Sequence, residues 1–281
     1  AEPDDPWLAI WSASAVHSKW EWPIGEFDDL HDQGDEPAQA DGWIRYNATI
    51  EALDAEIGEL RAALDQGLES TIWDETLVIV VGDNGSDRVP LQVAQAQGVD
   101  IGDYELTHFK GSTHFEGTSI PLIVTGPDSL VTRRGEAEGA LVDIVDLMDT
   151  IREVAGLPTS VYGGRLIDSQ SFLPWLSGVH PTPREHSLAM FFAPNGVFPP
   201  VAAGSAVRLG YARWIGTDLY RLVRGEVGAG VDQLFQLADA LGPVDPLEKT
   251  PLDITQGTGL AAYQAVVTEL DLLLATPDSC P

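Results

Sequence analysis

The residues best suited to chemistry stand at the end of an apolar run, Thr76-Leu-Val-Ile-Val-Val-Gly-Asp-Asn-Gly85. Asp83 and Asn84 offer a carboxylate and an amide oxygen, donors that suit Ca²⁺ or Mg²⁺ better than a soft metal. Two ligands make half a site, because Ca²⁺ takes six to eight oxygens. Asp-Asn-Gly is also good turn chemistry, and this stretch alone leaves turn and ligand pair both open. Lys110, followed by Gly-Ser-Thr, can bring an ammonium, hydroxyls and backbone N–H groups to one anion. By itself it is equally a solvated surface lysine. His17, His108 and His114 are candidates for proton transfer or anion contact, each with a structural or surface role as the plain alternative. No Gly-x-Ser-x-Gly elbow and no His-Glu-x-x-His helix occurs, and no nucleophile stands in a convincing setting.

The apolar periodicity predicts the elements that carry these residues. The run Leu77 to Gly82 reads as a buried strand of a parallel sheet, and ligands of such sheets sit beyond the carboxyl ends of the strands. Pro6 to Ala15 reads as a second buried strand, ending at Val16-His17-Ser18. Residues 18–40 form a long loop. A helix starts at Asp41, carries Ile44, Ile50, Leu53, Ile57, Leu60 and Leu64 at helical spacing, and stops at Gly67. From Gly85 to about Tyr104 there is no clear period. Ile120 to Val124 is another strand, whose early Pro121 fits its beginning. Leu141 to Leu157 is a helix with Leu141, Ile144, Val145, Met148, Ile151 and Val154 on one face, and residues 171–176 form a short helical turn. A proline-rich seam follows at 180–183. Beyond it, Ser187–Phe192, Ala206–Ile215, Asp218–Val223 and Gln233–Leu237 read as short antiparallel strands, before a last helix from about Leu260 to Leu274. The expected organisation is an α/β region, 1–180, and an α+β appendage with an antiparallel sheet, 181–281.

Composition narrows the function classes. The chain has 281 residues and is 44% hydrophobic, enough to fill a sizeable core, but no stretch is long and apolar enough to span a membrane. Its 15 basic and 44 acidic residues give a net charge of -29, which argues against nucleic acid as a partner. Acidity with only three lysines suits a salty medium, or a secreted or periplasmic life, with the cytoplasm left open. The field of so acidic a chain repels an anionic ligand, so positive charge must be concentrated at the site. The one cysteine, Cys280, permits no intrachain disulfide. The start, Ala1-Glu-Pro-Asp-Asp, is neither an initiator Met nor a signal peptide, which suits a processed chain or a fragment.

Several stretches, in order, resemble the sulfatase family of the alkaline phosphatase superfamily. Pro6 to His17 looks like the strand that ends on the family's substrate-site histidine. Tyr46 to Leu64 is similar to the helix before its metal strand, and Thr76 to Gly85 resembles that strand. Lys110-Gly-Ser-Thr with Pro121-Leu-Ile-Val resembles the Lys-Gly-Thr-x-Tyr-Glu-Gly-Gly block and the strand after it. Leu141 to Leu157 is similar to the Val-Asp-Leu-x-Pro-Thr-Ile region, with Asp149 where proline often stands. Residues 168–176, 206–215 and 232–239 resemble the segments that follow, the last two being paired strands of the carboxy-terminal subdomain.

The resemblance implies an alkaline-phosphatase-like α/β/α sandwich, lacking its amino-terminal part, and hydrolysis of sulfate esters of small molecules or saccharides. Asp83 and Asn84 would be metal ligands, for Ca²⁺ ahead of Mg²⁺. Lys110 and His17 would contact the sulfate and its bridging oxygen, and His108 and His114 would be substrate contacts. The family's nucleophile is a formylglycine made in a Cys/Ser-x-Pro-x-Arg motif. That motif is absent from these residues, as is the early Asp-Asp metal pair; Asp4-Asp5 has no strand before it. The missing amino-terminal portion is therefore the expected partner. In the ungapped block, His114 takes the usual aromatic position, Phe115 the usual Glu, Glu116 and Gly117 the two Gly positions, and Ser119 a common Arg position. Two alternatives remain: a phosphodiesterase or phosphonate monoester hydrolase of the same superfamily, against which Asn84 leans, and a non-catalytic subunit that kept the fold.

Overall fold

The structure is a computed structural model that describes residues 6–17, 42–65, 72–98, 100–102, 104–137, 139–158, 161–162, 165–166, 168–179, 184–192, 206–225, 232–239, 241–245 and 248–275. The chain divides into two compact units, one of residues 1–78 and 87–102, the other of 79–86 and 103–281. The second unit runs across residue 180; the expected seam at 180–183 lies outside the described residues, as do the loop at 18–40, Asp41, Gly67 and Cys280.

In the first unit, helix α1 (Gly42–Asp65) packs against helix α2 (Val89–Ala96). The stripe of large apolar residues does not make the innermost part of α1. Ala48, Thr49 and Ala52 are its buried residues, whereas Ile50 and Leu60 are exposed. Helix α2 falls where no period was legible. Pro90 in its first turn needs no hydrogen-bond partner for its nitrogen, and Asp87 Oδ1 accepts from Val89 N at 3.0 Å. Residues 6–14 form no strand. They are irregular, with Trp7, Leu8, Ile10 and Trp11 all more than half exposed, so the expected buried strand is corrected. An apolar run becomes a strand only where a neighbour supplies ladder hydrogen bonds and a face covers it.

In the second unit, β1 (Val78–Val81, whose first residue belongs to the other unit) and β2 (Leu122–Thr125) form a two-stranded sheet. Strand β1 is half-buried rather than buried, and Val81 and Ile123 are exposed. Helix α3 spans Asp146–Val154, not 141–157, and its apolar face points outward: Ile144, Val145, Met148 and Val154 are exposed, while Asp146, Asp149 and Thr150 are buried. The polar face turns inward because it satisfies a neighbouring chain segment. Asp146 takes hydrogen bonds from Gln170 N and Arg184, Ser169 Oγ accepts from Asp149 N, and Thr150 Oγ1 accepts from Phe172 N. A two-residue ladder, β3 (Val161–Tyr162) with β4 (Arg165–Leu166), lies between.

The sheet β5 (His186–Phe192), β6 (Ala206–Ile215), β7 (Asp218–Arg224), β8 (Gln233–Asp239) and β9 (Gly242–Pro243) is an antiparallel meander, as the strand-like patterns predict. Strand side chains alternate between faces. Leu209, Tyr211, Leu222 and Leu234 face Val266 and Leu270 of helix α4 (Gly257–Ala275), all nearly or fully buried. The other face carries Val223, Phe235 and Leu237, with Gly210 and Arg221 beside them. That second face meets the loop bearing Lys110.

Candidate active site

Two backbone hydrogen bonds lay the end of β1 along the Lys110 loop. Lys110 N donates to Ser86 O at 2.8 Å, and Gly85 N donates to Gly117 O at 3.2 Å. The contact is close because position 85 is glycine. A Cβ there would run into the peptide joining Glu116 and Gly117. Asp83, Asn84 and Lys110 are all exposed, as a binding surface requires. Asn84 Nδ2 donates to Gly85 O at 3.0 Å, which leaves the amide's Oδ1 as its free acceptor end. An exposed carboxylate beside such an amide oxygen fits the donor chemistry of Ca²⁺.

His17 is described in the other unit. It is exposed, and its N donates to Ser14 O at 3.0 Å.

The loop itself is clasped by the sheet. Gly210 leaves room for the Thr113 carbonyl, which a Cβ at 210 would strike. Arg221 Nη2 donates to Thr113 O and to Thr118 Oγ1, both at 2.6 Å, and Arg208 Nη1 donates to Gly111 O. His114 is buried. Its Nδ1 lies 2.6 Å from Glu248 Oε2, and its ring edge packs on Phe235. Glu248 accepts at that distance, so Nδ1 carries the proton. The second oxygen of Glu248 lies 2.9 Å from Arg221 Nε. Burial pulls the Arg221 guanidinium below its ordinary pKa, against the pull of Glu248 and Glu116.

His108 stacks on His114 with ring centroids 3.5 Å apart and planes 5° from parallel. Glu116 is buried with Oε2 3.8 Å from His108 Nδ1, and neither of its oxygens has a hydrogen-bond partner among the described residues. Burial raises the Glu116 carboxyl above its usual range; the dipole of its own backbone N–H opposes this, and Glu248 adds to it.

His108, His114 and Glu248 bring ligand atoms within 4.8 Å of one another, close enough for an ion by distance. The ring arrangement speaks against a shared ion. Two imidazoles on one tetrahedral zinc, with Zn–N near 2.0–2.1 Å, hold their ring centres about 5 Å apart. The observed stack is tighter and suits the hydrogen bond to Glu248 instead.

Sequence reasoning placed Asp83, Asn84 and Lys110 on segments that the fold joins. It missed Arg221 and Glu248. Arg221 did carry a signal, a charge at an inward position of a strand between Leu219 and Val223. Glu248 lies in a loop and carried none.

The sequence profile of the sulfatase family matches residues 1–157, more than half of the chain. The chain belongs to the sulfatase family. A structure from Bacteroides thetaiotaomicron, solved in work on the metabolism of multiple glycosaminoglycans, superposes on this chain with a TM-score of 0.54 at 16% identity; the match covers 98% of this chain and 52% of that one. The Bacteroides fragilis protein yidJ gives a TM-score of 0.46 at 17% identity, over 93% of this chain and 47% of that one. No curated protein matches. The chain thus spans about half the length of the solved structures it matches. The fold is the α/β, alkaline-phosphatase-like fold of that family, with its antiparallel sheet. Among the described residues no helix is long and apolar enough to cross a membrane.

Proposed function

We propose that this chain is the carboxy-terminal portion of a sulfuric ester hydrolase, with residues 1–180 completing its α/β domain and 181–281 its subdomain. The observation that carries the reading is the pair of backbone hydrogen bonds that lay Asp83-Asn84 beside the Lys110 loop in a chain of the sulfatase family. Asp83 and Asn84 would hold Ca²⁺, which supplies a Lewis acid for sulfate oxygens. Lys110 binds the sulfate and holds positive charge where negative charge develops. His108 and His114 back the substrate side of the loop. In a chain of net charge -29, the exposed ammonium of Lys110 is what makes an anion welcome locally. The attacking formylglycine belongs to an amino-terminal portion outside these residues, the partner of this chain. The exposed apolar face of α3 supports such a partner, because faces of this kind mark interfaces.

The test has two arms. Calcium titration of the chain should show weak binding that D83A abolishes; unchanged binding in D83A would remove the metal assignment. The enzyme assembled with its nucleophile-bearing portion should release sulfate from an aryl sulfate faster than phosphate from the matching phosphate. K110A should lower kcat/KM by about a hundredfold. A preference for the phosphate ester would overturn the sulfatase reading.

A further inference from the structure

Glu248 is 1% exposed and is the one non-glycine residue with positive φ among those described, at 53°. A side chain in that region strains the backbone, and such strain persists only where the surroundings enforce it. A buried carboxylate also loses its hydration. If the site needed only filling, an apolar side chain would fill it without either cost. Glu248 instead holds a hydrogen bond to His114 Nδ1 through Oε2 and an ion pair with Arg221 Nε through Oε1, the latter by charge and not by a hydrogen bond. Each partner leads to the same loop. His114 is in it, and Arg221 Nη2 grips Thr113 O and Thr118 Oγ1. Phe235, which is paired with Arg221 in the strand register, backs the His114 ring. Lys110 lies four residues before His114, and its own side chain is exposed.

We infer that Glu248 is a positioning residue for Lys110: it locks the loop of residues 108–118 to the sheet through His114 and Arg221, and so fixes where the ammonium stands. The inference rests on the reading of Lys110 as a sulfate contact, but the lock itself is measurable without substrate. Bonds within the loop, Ser112 N to Phe109 O and Gly117 N to His114 O among them, shape its turns, but they do not attach it to the sheet. The carboxylate supplies the direction that the loop's sequence lacks. His114 contributes one nitrogen at a defined point, and Arg221 spans from Glu248 to the loop backbone.

Hydrogen exchange on the full chain tests the lock. E248Q, whose amide must turn its NH2 toward either His114 Nδ1 or Arg221 Nε, should speed exchange of the amides of residues 110–118 by about tenfold, the scale of a lost buried hydrogen bond. The amides of β6, β7 and β8 should keep their rates within about twofold, which a general loss of stability would not allow. Replacement of His114 gives a second arm. In H114N the side-chain amide nitrogen replaces Nδ1 and should keep the loop slow to exchange; H114Q places its amide further out and should not. If E248Q fails to fold, H114N and H114Q decide, and equal exchange in the two would overturn the inference. In the assembled enzyme, E248Q should lower kcat by more than it changes KM. Loop exchange and kcat both unchanged in E248Q, with K110A inactive, would refute the lock and leave the function standing. A loosened loop in E248Q with K110A fully active would keep the lock and refute the role of Lys110.

Discussion

Asp146 and Arg184 are joined in the interior by two roughly parallel hydrogen bonds, Arg184 Nε to Oδ2 at 3.0 Å and Nη2 to Oδ1. Both side chains are 3% exposed. Arg184 also donates to the carbonyl and carboxylate of Asp168, so one guanidinium ties the start of α3 to the segment after β4. Burial opposes the charge on Arg184, and the hydrogen bonds and charges of Asp146 and Asp168 together outweigh it, raising its pKa.

Removing one member of a buried pair leaves the other uncompensated, at a cost of about 3–5 kcal/mol. D146N should therefore lower the melting temperature by roughly 6 °C or more. Calorimetry checks this, and a shift too small to resolve would mean that water already screens the pair.

Glu116 gives a pH-dependent counterpart. Its carboxyl is raised by burial, so the folded state prefers the protonated form. The sign follows: the stability tied to that proton is full below the unfolded pKa of about 4.3, and is lost as pH rises through the folded value. E116Q carries no such loss. Its melting temperature relative to the parent should rise from pH 4 toward neutrality and then level off. A flat difference across that range would show that Glu116 titrates normally.

At position 85 the expectation is steric. A methyl group there meets the Glu116–Gly117 peptide, so G85A must push β1's end away from the Lys110 loop or strain both. The overpacking cost is about 1–3 kcal/mol. Calcium binding, if Asp83 and Asn84 supply it, should fall in G85A although neither ligand has changed. Titration beside a thermal melt separates the two effects.

The outward face of α3 predicts a mutation with little effect on the chain itself. Met148 is 50% exposed, and M148K should change stability by no more than about 0.5 kcal/mol. The same change should weaken association with the amino-terminal portion, read by co-purification or analytical ultracentrifugation. The unmodified chain should bind an apolar dye or self-associate. A monodisperse, cooperatively melting monomer that ignores the dye would count heavily against a missing partner.

What could be read from the sequence was what depends on short-range pattern. The meander from His186 to Asp239 was legible because its strands alternate and their turns carry glycine, as at Gly216 with φ 63°. Asp83 and Asn84 stand out as candidates because an apolar run stops at them. Trp7 to Trp11 misled, because composition predicts a strand but cannot supply the strand beside it. The α3 region misled for a related reason: the apolar residues of a helix show which side favours burial only when the polar side has no better partners. Arg184 lies 38 residues from Asp146, and no local period reports that pairing. Glu248 was invisible for the same reason, lying 134 residues from His114.

The bare position at Gly210 has a practical corollary. With no side chain between them, strand β6 and the carbonyl of Thr113 are shaped to each other, as a seat to its occupant. Grafting this sheet onto another member of the family would succeed only if the donor's residues 108–118 travelled with it, so the two behave as a single exchangeable module.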